Sequence, residues 1–274
     1  MNRLTVGGNG GEGVRGSFGL VALLGVALFT SVPGAAKAAE TRDIFGIWLG
    51  IGDGRPDIDP RFRNTANSPT PEFTKWGAEE SGRLGRLGTE TGTPGACEPV
   101  NPAMLLSGSN LFPVQILEGS KQIVILNEWQ PVPRRIYMDG RGHPPDLDPT
   151  WQGHSIGHWE GDVLVVDTVG LNGRARPLNG YAANAVNATP ESLKTPRLPA
   201  SDQMHLVERL RLVANGNLLE ITRTITDPKT YIRPFTSTVY QERRPDLDVQ
   251  EYFCSDNARP AEEGHEQDEG RQAK

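Results

Sequence analysis

The strongest structural signal in this chain is Met204-His-Leu-Val-Glu-Arg-Leu-Arg-Leu-Val-Ala-Asn-Gly-Asn-Leu-Leu-Glu-Ile-Thr-Arg-Thr-Ile-Thr226. Apolar and polar side chains alternate on both sides of Asn215-Gly216, a dipeptide that strongly favours a tight hairpin turn. Period-two alternation is typical of a strand with one buried face. The stretch therefore predicts two antiparallel strands, 204–213 and 217–226, with a turn between them.

Further strands are predicted on both sides of this hairpin. Their ranges are 44–49, 112–118, 122–128, 134–138, 154–159, 162–169, 230–243 and 252–254. Gly and Pro number 32 and 22, so long helices are not expected. One short helix is predicted over 71–82, because Thr70, Pro71 and Glu72 match a cap, a first-turn proline and an acidic first turn.

Serial hairpins without crossover helices indicate an all-β fold built as an antiparallel meander. Eight or nine strands in one domain form a lipocalin-like barrel, or remain a half-open sheet or sandwich. Residues 172–200 are rich in Gly, Asn, Ala and Pro, and we expect them to form a long surface loop or lid near one mouth.

Residues 1–38 are predicted to be a signal peptide. Arg3 and Arg15 precede an apolar run over 18–32, and Ala36-Lys37-Ala38 places small residues where a signal peptidase reads them. An uncleaved anchor is the alternative, although about 15 residues are fewer than the roughly 20 that span a bilayer. We expect a periplasmic or secreted bacterial protein with no further membrane span.

The mature chain is expected to be one β-rich domain over 39–257, followed by a disordered charged tail over 258–274. Without residues 1–38, the 28 basic and 34 acidic residues become 25 and 33, a net charge of −8. An acidic protein disfavours nucleic acid and anionic membrane surfaces as partners.

The chain has two cysteines, Cys97 and Cys254. In an oxidising compartment an isolated pair most simply forms a disulfide. The alternative is two separate thiols, one of them a nucleophile or a metal ligand.

Groups that carry chemistry concentrate in Asp139-Gly-Arg-Gly-His-Pro-Pro-Asp-Leu-Asp-Pro-Thr-Trp151 and in the hairpin that follows it, up to Asp167. These 29 residues hold three of the five histidines, two of the five tryptophans and five aspartates. No other part of the sequence gathers as many groups that transfer protons, bind metal or stack on a ring. We therefore place the candidate site here. The candidate catalytic residues are His154, Asp167, His143 and Asp139.

The hairpin at Glu160-Gly161 sets a histidine beside a carboxylate. In a two-residue turn His154 faces Asp167, whereas in a type I turn with a glycine bulge His158 pairs with Asp162. A neighbouring carboxylate raises the pKa of a histidine and fixes its tautomer, as a general base requires. We interpret the pair as a His–Asp dyad facing the barrel lumen. A polar outer face at the end of a hairpin is the alternative.

His154 and His158 are four residues apart. On a helix this spacing chelates zinc, but on a strand it spans about 13 Å, too far for one metal ion. The sequence has no His-Glu-x-x-His motif and no phosphate loop. We predict a site with neither a metal nor an organic cofactor.

A small hydrophobic or aromatic molecule is the expected ligand, because such sites combine aromatic walls with a few polar groups. Arg141 offers bidentate recognition of a carboxylate, beside Asp139 and His143. Ordinary turn chemistry is the alternative for these three. Trp151 and Trp159 are candidates for the pocket walls, with core packing as their alternative, and Tyr137 and His158 are further candidates for ligand binding.

The run over 135–172 resembles a large family of secreted bacterial proteins that share the pattern DGRxHPxDxDPTWxGHSIGxWEGDxLVVDTxGxN. Shorter matches are Cys97-Glu-Pro99, Thr226-Asp-Pro-Lys-Thr-Tyr231 and Glu251-Tyr-Phe-Cys-Ser-Asp-Asn257, so the resemblance covers roughly residues 95–257. It implies an exported protein and no particular reaction. His158 stands where the family has Arg or Lys, which counts against a catalytic role for it. The candidates on matching positions are His143, His154, Asp139, Arg141 and Asp167.

These patterns favour an exported enzyme that acts on a small hydrophobic or aromatic compound. His154 would be the acid and base and Asp167 or Asp162 its orienting partner, in a lyase, isomerase or hydrolase. One alternative is a non-catalytic, lipocalin-like carrier that uses the same pocket. Another is a structural envelope protein whose polar cluster only braces loops.

Overall fold

The structure is a computed structural model, which describes residues 42–51, 57–62, 71–87, 99–107, 112–174, 177–179 and 195–252. The predicted signal peptide, the predicted charged tail and both cysteines of the predicted disulfide lie outside the described residues. Most of the predicted loop or lid, at 175–176 and 180–194, lies outside them as well.

Nine strands form the fold. Their bounds are Gly46–Gly50 (β1), Val114–Glu118 (β2), Gln122–Asn127 (β3), Gln130–Tyr137 (β4), His154–Glu160 (β5), Val163–Val169 (β6), His205–Val213 (β7), Leu218–Thr226 (β8) and Phe235–Arg243 (β9). Each strand pairs with the next one along the chain, and β9 pairs with β1. The all-β barrel is therefore confirmed, and it is closed.

A closed ring of strands alternates in direction throughout only if the number of strands is even, so nine strands require a parallel pair. That pair is β4 and β5, joined at Ile136 with Ser155 and at Tyr137 with Ile156. The predicted antiparallel meander is wrong at this one junction. The chain between the two strands is the β4–β5 loop (138–153). It leaves the sheet at the end of β4 and returns beside that end, at the start of β5.

The hairpin between β5 and β6 turns at Gly161-Asp162, one residue later than predicted. Gly161 has a φ of +63°, which suits the first central position of a mirror-image turn. His154 is consequently opposite Val169, and His158 is opposite Val165. Both predicted registers are wrong, because placing glycine first in the turn avoids a positive φ at the residue before it.

The hairpin between β7 and β8 is confirmed, with a longer loop than a two-residue turn. Val213 pairs with Leu218, so four residues connect the strands. A 3-10 turn over Ala214–Gly216 reverses the chain, and Asn215 has the left-handed φ of +56° that asparagine tolerates well.

The predicted short helix begins later than expected and spans Lys75–Leu87 (α1). Thr74 is its cap, because the Thr74 hydroxyl accepts a hydrogen bond from the backbone N–H of Gly77 at 3.0 Å. Phe73 instead forms a β-bridge with Tyr231, and the helix begins only after it. A second, four-residue helix, Pro102–Leu105 (α2), was not predicted.

The barrel interior is packed with aliphatic side chains from all parts of the sheet. Members of this cluster include Val114, Ile116, Ile123, Ile125, Ile136, Leu164, Val166, Leu210, Leu219, Ile221 and Val239. Val100, Leu105 and Leu106 from the α2 region belong to the same cluster. The side chain of Arg223 donates to the carbonyl of Ala103, so the α2 region is anchored to the inner wall.

A charged pair lies within this apolar interior. The side chains of Arg134 and Glu208 are 1% and 0% exposed and form an ion pair. Arg134 also donates to the hydroxyl of Thr168 at 3.1 Å. The interior is therefore a solid core with a polar layer.

Candidate functional site

The predicted His–Asp pair lies on the outer face of the barrel. Side chains alternate along β5 and β6, and Ser155 and Thr168 point inward with 1% and 0% of their surface exposed. Their neighbours His154 and Asp167 point outward, and the side chain of Asp167 is 39% exposed. The prediction of a dyad facing the lumen is wrong, because Ser155 and Thr168 occupy the inward-facing positions and side chains alternate along each strand.

The β4–β5 loop carries His143 onto this outer face. The rings of His143 and His154 meet edge to face, with centroids 5.0 Å apart and an interplanar angle of 72°. Tyr137, the last residue of β4, stacks on His154 with centroids 5.1 Å apart. The parallel junction thus brings together residues from a strand end, a loop and a strand start.

Three histidines and one aspartate form a continuous hydrogen-bonded chain. The Nδ1 atoms of His143 and His154 are 2.8 Å apart, and Nε2 of His143 is 3.2 Å from Oδ1 of Asp167. Nε2 of His205, on β7, is 2.8 Å from the same Oδ1. We call His205, Asp167, His143 and His154 the histidine chain.

The carboxylate fixes the direction of these hydrogen bonds. An ionised Asp167 only accepts, so His143 and His205 both donate to it from Nε2. A neutral His143 then has its lone pair on Nδ1, and His154 donates to it from its own Nδ1. The Nε2 of His154 is left unprotonated, and among the described residues it has no hydrogen-bond partner.

The surroundings of His154 favour its neutral form. Partial burial lowers its pKa from the ordinary value of 6.5, and the charges of His143, when protonated, and of Arg141 lower it further. A neutral imidazole with a free lone pair is the form that accepts a proton. Asp167 acts on His154 through His143 and not by direct contact, which differs from the predicted dyad.

Asp139 and Arg141 form a pair of their own beside the histidine chain. Arg141 donates to both oxygens of Asp139, from Nε at 2.8 Å and from Nη2 at 2.6 Å. The hydrogen bond from Arg141 lowers the pKa of Asp139 to about 2, so this carboxylate is ionised at neutral pH. The guanidinium carbon of Arg141 lies 4.0 Å from the ring centroid of Tyr137. Asp139 therefore holds Arg141 over Tyr137 and does not contact the histidines.

The remaining predicted site residues have contacts with residues other than those of the histidine chain. His158 is 65% exposed and contacts Glu160 at 3.2 Å. Trp159 packs against the edge of the barrel core, with the guanidinium of Arg42 5.5 Å from its ring. Trp151 has the guanidinium of Arg174 5.4 Å from its ring. None of these contacts joins His158, Trp159 or Trp151 to the histidine chain.

His205 was not among the site residues predicted from the sequence. It precedes Leu206 at the start of β7 and points to the outer face, where Asp167 is its diagonal neighbour because Asp167 pairs with Val207. The alternation of β7 does indicate that His205 is on the outer face. Its partner becomes visible only when the register between β6 and β7 is known.

The sequence Gly153-His-Ser-Ile-Gly157 matches the Gly-x-Ser-x-Gly pattern of serine hydrolases. In those enzymes the serine lies on a sharp turn between a strand and a helix and is exposed. Here Ser155 lies within β5, is buried, and is 2.8 Å from the hydroxyl of Thr168. The pattern therefore does not mark a nucleophile in this chain.

Gly153 is required by the geometry of the site. Its φ is +63°, and a Cβ atom there would lie 2.5 Å from the carbonyl oxygen of Val169. The β4–β5 loop thus passes against the end of β6 immediately before His154. Any side chain at position 153 would displace the residue that we regard as the proton acceptor.

Asp227, in the 226–231 segment, has a structural role. It is 2% exposed and accepts hydrogen bonds from Ser201 and Thr230. These bonds tie the end of β8 to the start of β7, close to His205. The segment braces the barrel, and its first residue, Thr226, is the strand partner of His205.

No family model matches the sequence, and no curated protein and no solved structure is significantly similar to it. Among the described residues, no group of three or more His, Cys, Asp or Glu side chains is arranged to hold a metal ion. The described helices include none with the length and apolar character needed to cross a membrane.

Proposed function

We propose that the protein is an exported enzyme that acts on a small hydrophobic or aromatic compound by acid–base catalysis, as a lyase, isomerase or hydrolase. The supporting observation is the chain from Asp167 through His143 to His154, with Nδ1–Nδ1 and Nε2–Oδ1 distances of 2.8 and 3.2 Å. It ends in an unprotonated nitrogen on the outer face. A free lone pair on a neutral imidazole is the form that a general base needs.

The proton transfer runs along the chain in two steps. Nε2 of His154 takes a proton from the substrate, and the proton on its Nδ1 passes to Nδ1 of His143 across 2.8 Å. His143 becomes an imidazolium that the carboxylate of Asp167 stabilises. The reverse sequence returns a proton to the product. Positioned groups of this kind contribute roughly 10²–10⁴-fold to a rate.

The surroundings of His154 favour a ring or another apolar body with one polar end. Three outer-face positions next to the histidine chain are apolar: Ile156 and Val207 are the pairing partners of Asp167, and Val169 is the partner of His154. Tyr137 adds an aromatic face stacked on His154. Arg141, held in place by Asp139, is the group that we assign to the polar end of the substrate.

The test compares the wild-type protein with His154→Gln in extracts of small molecules from the native host. We expect the wild type to change the amount of particular compounds, and His154→Gln to leave them unchanged while still binding them in native mass spectrometry. The control is His158→Gln, which alters an exposed histidine outside the chain. Equal turnover by His154→Gln would contradict the proposal.

The same experiment separates the carrier and structural alternatives. A carrier retains a compound without changing it, and a structural protein neither retains nor changes any. Metal analysis of the same sample tests the metal-free site, because a stoichiometric metal on these histidines would displace the proposed protons.

A further inference from the structure

The oxygen Oδ1 of Asp167 receives two imidazole donors, and the closer one comes from His205. The His205 distance is 2.8 Å and the His143 distance is 3.2 Å. We infer that His205 is a positioning residue of the acid–base site, which holds Asp167 so that His143 donates to it from Nε2. This inference rests on the proposed function, because it concerns the same proton path.

The need for a second donor follows from the exposure of Asp167. Its side chain is 39% exposed on an outer face, where water competes for both carboxylate oxygens. A single loop residue, His143, is a weak anchor for such a group. His205 lies on β7, a strand paired with β6 over at least five positions, so its backbone is fixed relative to Asp167.

The effect of His205 reaches His154 through tautomers. While Asp167 accepts from Nε2 of His143, the lone pair of neutral His143 is on Nδ1, and His154 is held in the Nδ1–H form. Free imidazole side chains prefer the Nε2–H form, so the Nδ1–H form of His154 is a signature of the intact chain. If Asp167 turns away from His143, nothing among the described contacts enforces that form.

A purely structural His205 would have a different signature. The side chain of His205 is 42% exposed, and an exposed polar contact of this kind contributes little to stability. If His205 had only that role, its removal would leave the fold and the tautomers of His143 and His154 unchanged.

The experiment is long-range ¹H–¹⁵N NMR of the histidine rings in the full chain, with His205→Ala, His205→Gln and His158→Ala. We expect His205→Ala to stay folded and to lose the Nδ1–H signature of His154. His205→Gln, whose amide donor can reach Asp167, should keep it, and the control His158→Ala should keep it as well. An unchanged signature in His205→Ala, or its absence from the wild type, would overturn the inference.

The outcomes are independent of the turnover test. Loss of the signature in His205→Ala together with full turnover in His154→Gln supports the positioning role and contradicts the proposed function. An unchanged signature together with loss of turnover in His154→Gln does the opposite.

Discussion

A single tautomer on a single residue is the physical core of the proposed site. His154 is useful as a base because its Nδ1 proton is committed to His143, which leaves Nε2 for a substrate. The carboxylate that fixes this arrangement belongs to Asp167, which contacts His143 and not His154 itself. Partial burial and the nearby positive charge of Arg141 disfavour protonation of His154, and so does the charge that His143 carries when it is protonated.

The lowered pKa of His154 makes stability depend on pH. Since the folded-state pKa is below the ordinary 6.5, the unfolded chain binds this proton first as the pH falls. The contribution of His154 is therefore present above about pH 6.5 and is lost as the pH falls through the two pKa values. Urea unfolding of wild type and His154→Gln at about pH 7.5 and pH 5 measures it. We expect the wild type to lose more stability than the variant; parallel losses would show that the pKa is not lowered.

At the level of strands and loops, the parallel junction of β4 and β5 brings the residues of the site together. It forces the chain into the β4–β5 loop, which brings His143 over His154 and ends at Gly153. The site is therefore as sensitive to the path of this loop as to the identity of its histidines.

Gly153→Ala tests the loop path. The substitution needs a positive φ and puts a Cβ atom 2.5 Å from the Val169 carbonyl, so we expect it to destabilise the fold by more than about 1 kcal/mol. The matched control is Gly142→Ala in the same loop, where a Cβ atom meets nothing within 4 Å. Thermal unfolding of both variants is the measurement. Equal melting temperatures for the two would mean that the loop does not pass against β6.

Contacts between residues close together in the sequence were predictable, and contacts between residues far apart in the sequence were not. The β2–β3 and β7–β8 hairpins follow from local turn residues, and the site residues His143, His154 and Asp167 follow from their concentration in one segment. The turn at Gly161-Asp162 was missed by one residue, because glycine fits either position of a turn and only packing selects one. The parallel pair, the closure of the barrel and the partner of His205 join residues far apart in sequence.

The barrel as a whole is a packed core with a charged layer. Arg134 and Glu208 are buried together as an ion pair. Arg223, on β8, is directly opposite Glu208 in the β7–β8 ladder. Burial lowers the pKa of Arg223 to about 10, so it remains a cation at neutral pH. The layer holds β4, β7 and β8 in a fixed relation beneath the outer-face site.

Removing one partner of the buried pair should be costly. Glu208→Gln leaves Arg134 without its counter-charge, and we expect a loss of about 3–5 kcal/mol in the free energy of unfolding. Arg209→Ala is the control on the same strand, because it breaks an exposed pair with Glu160 that contributes about 0–1 kcal/mol. Denaturant unfolding compares them. A loss for Glu208→Gln as small as that of the control would mean that water reaches the pair.

The state of His154 in the wild-type protein tests the proposed chemistry most directly. The chain has only five histidines, so their ring nitrogens can be assigned individually by ¹H–¹⁵N NMR. At neutral pH we predict a neutral His154 protonated on Nδ1, with Nε2 free, and a His143 protonated on Nε2. A charged His154, or a neutral His154 protonated on Nε2, would contradict its role as the base.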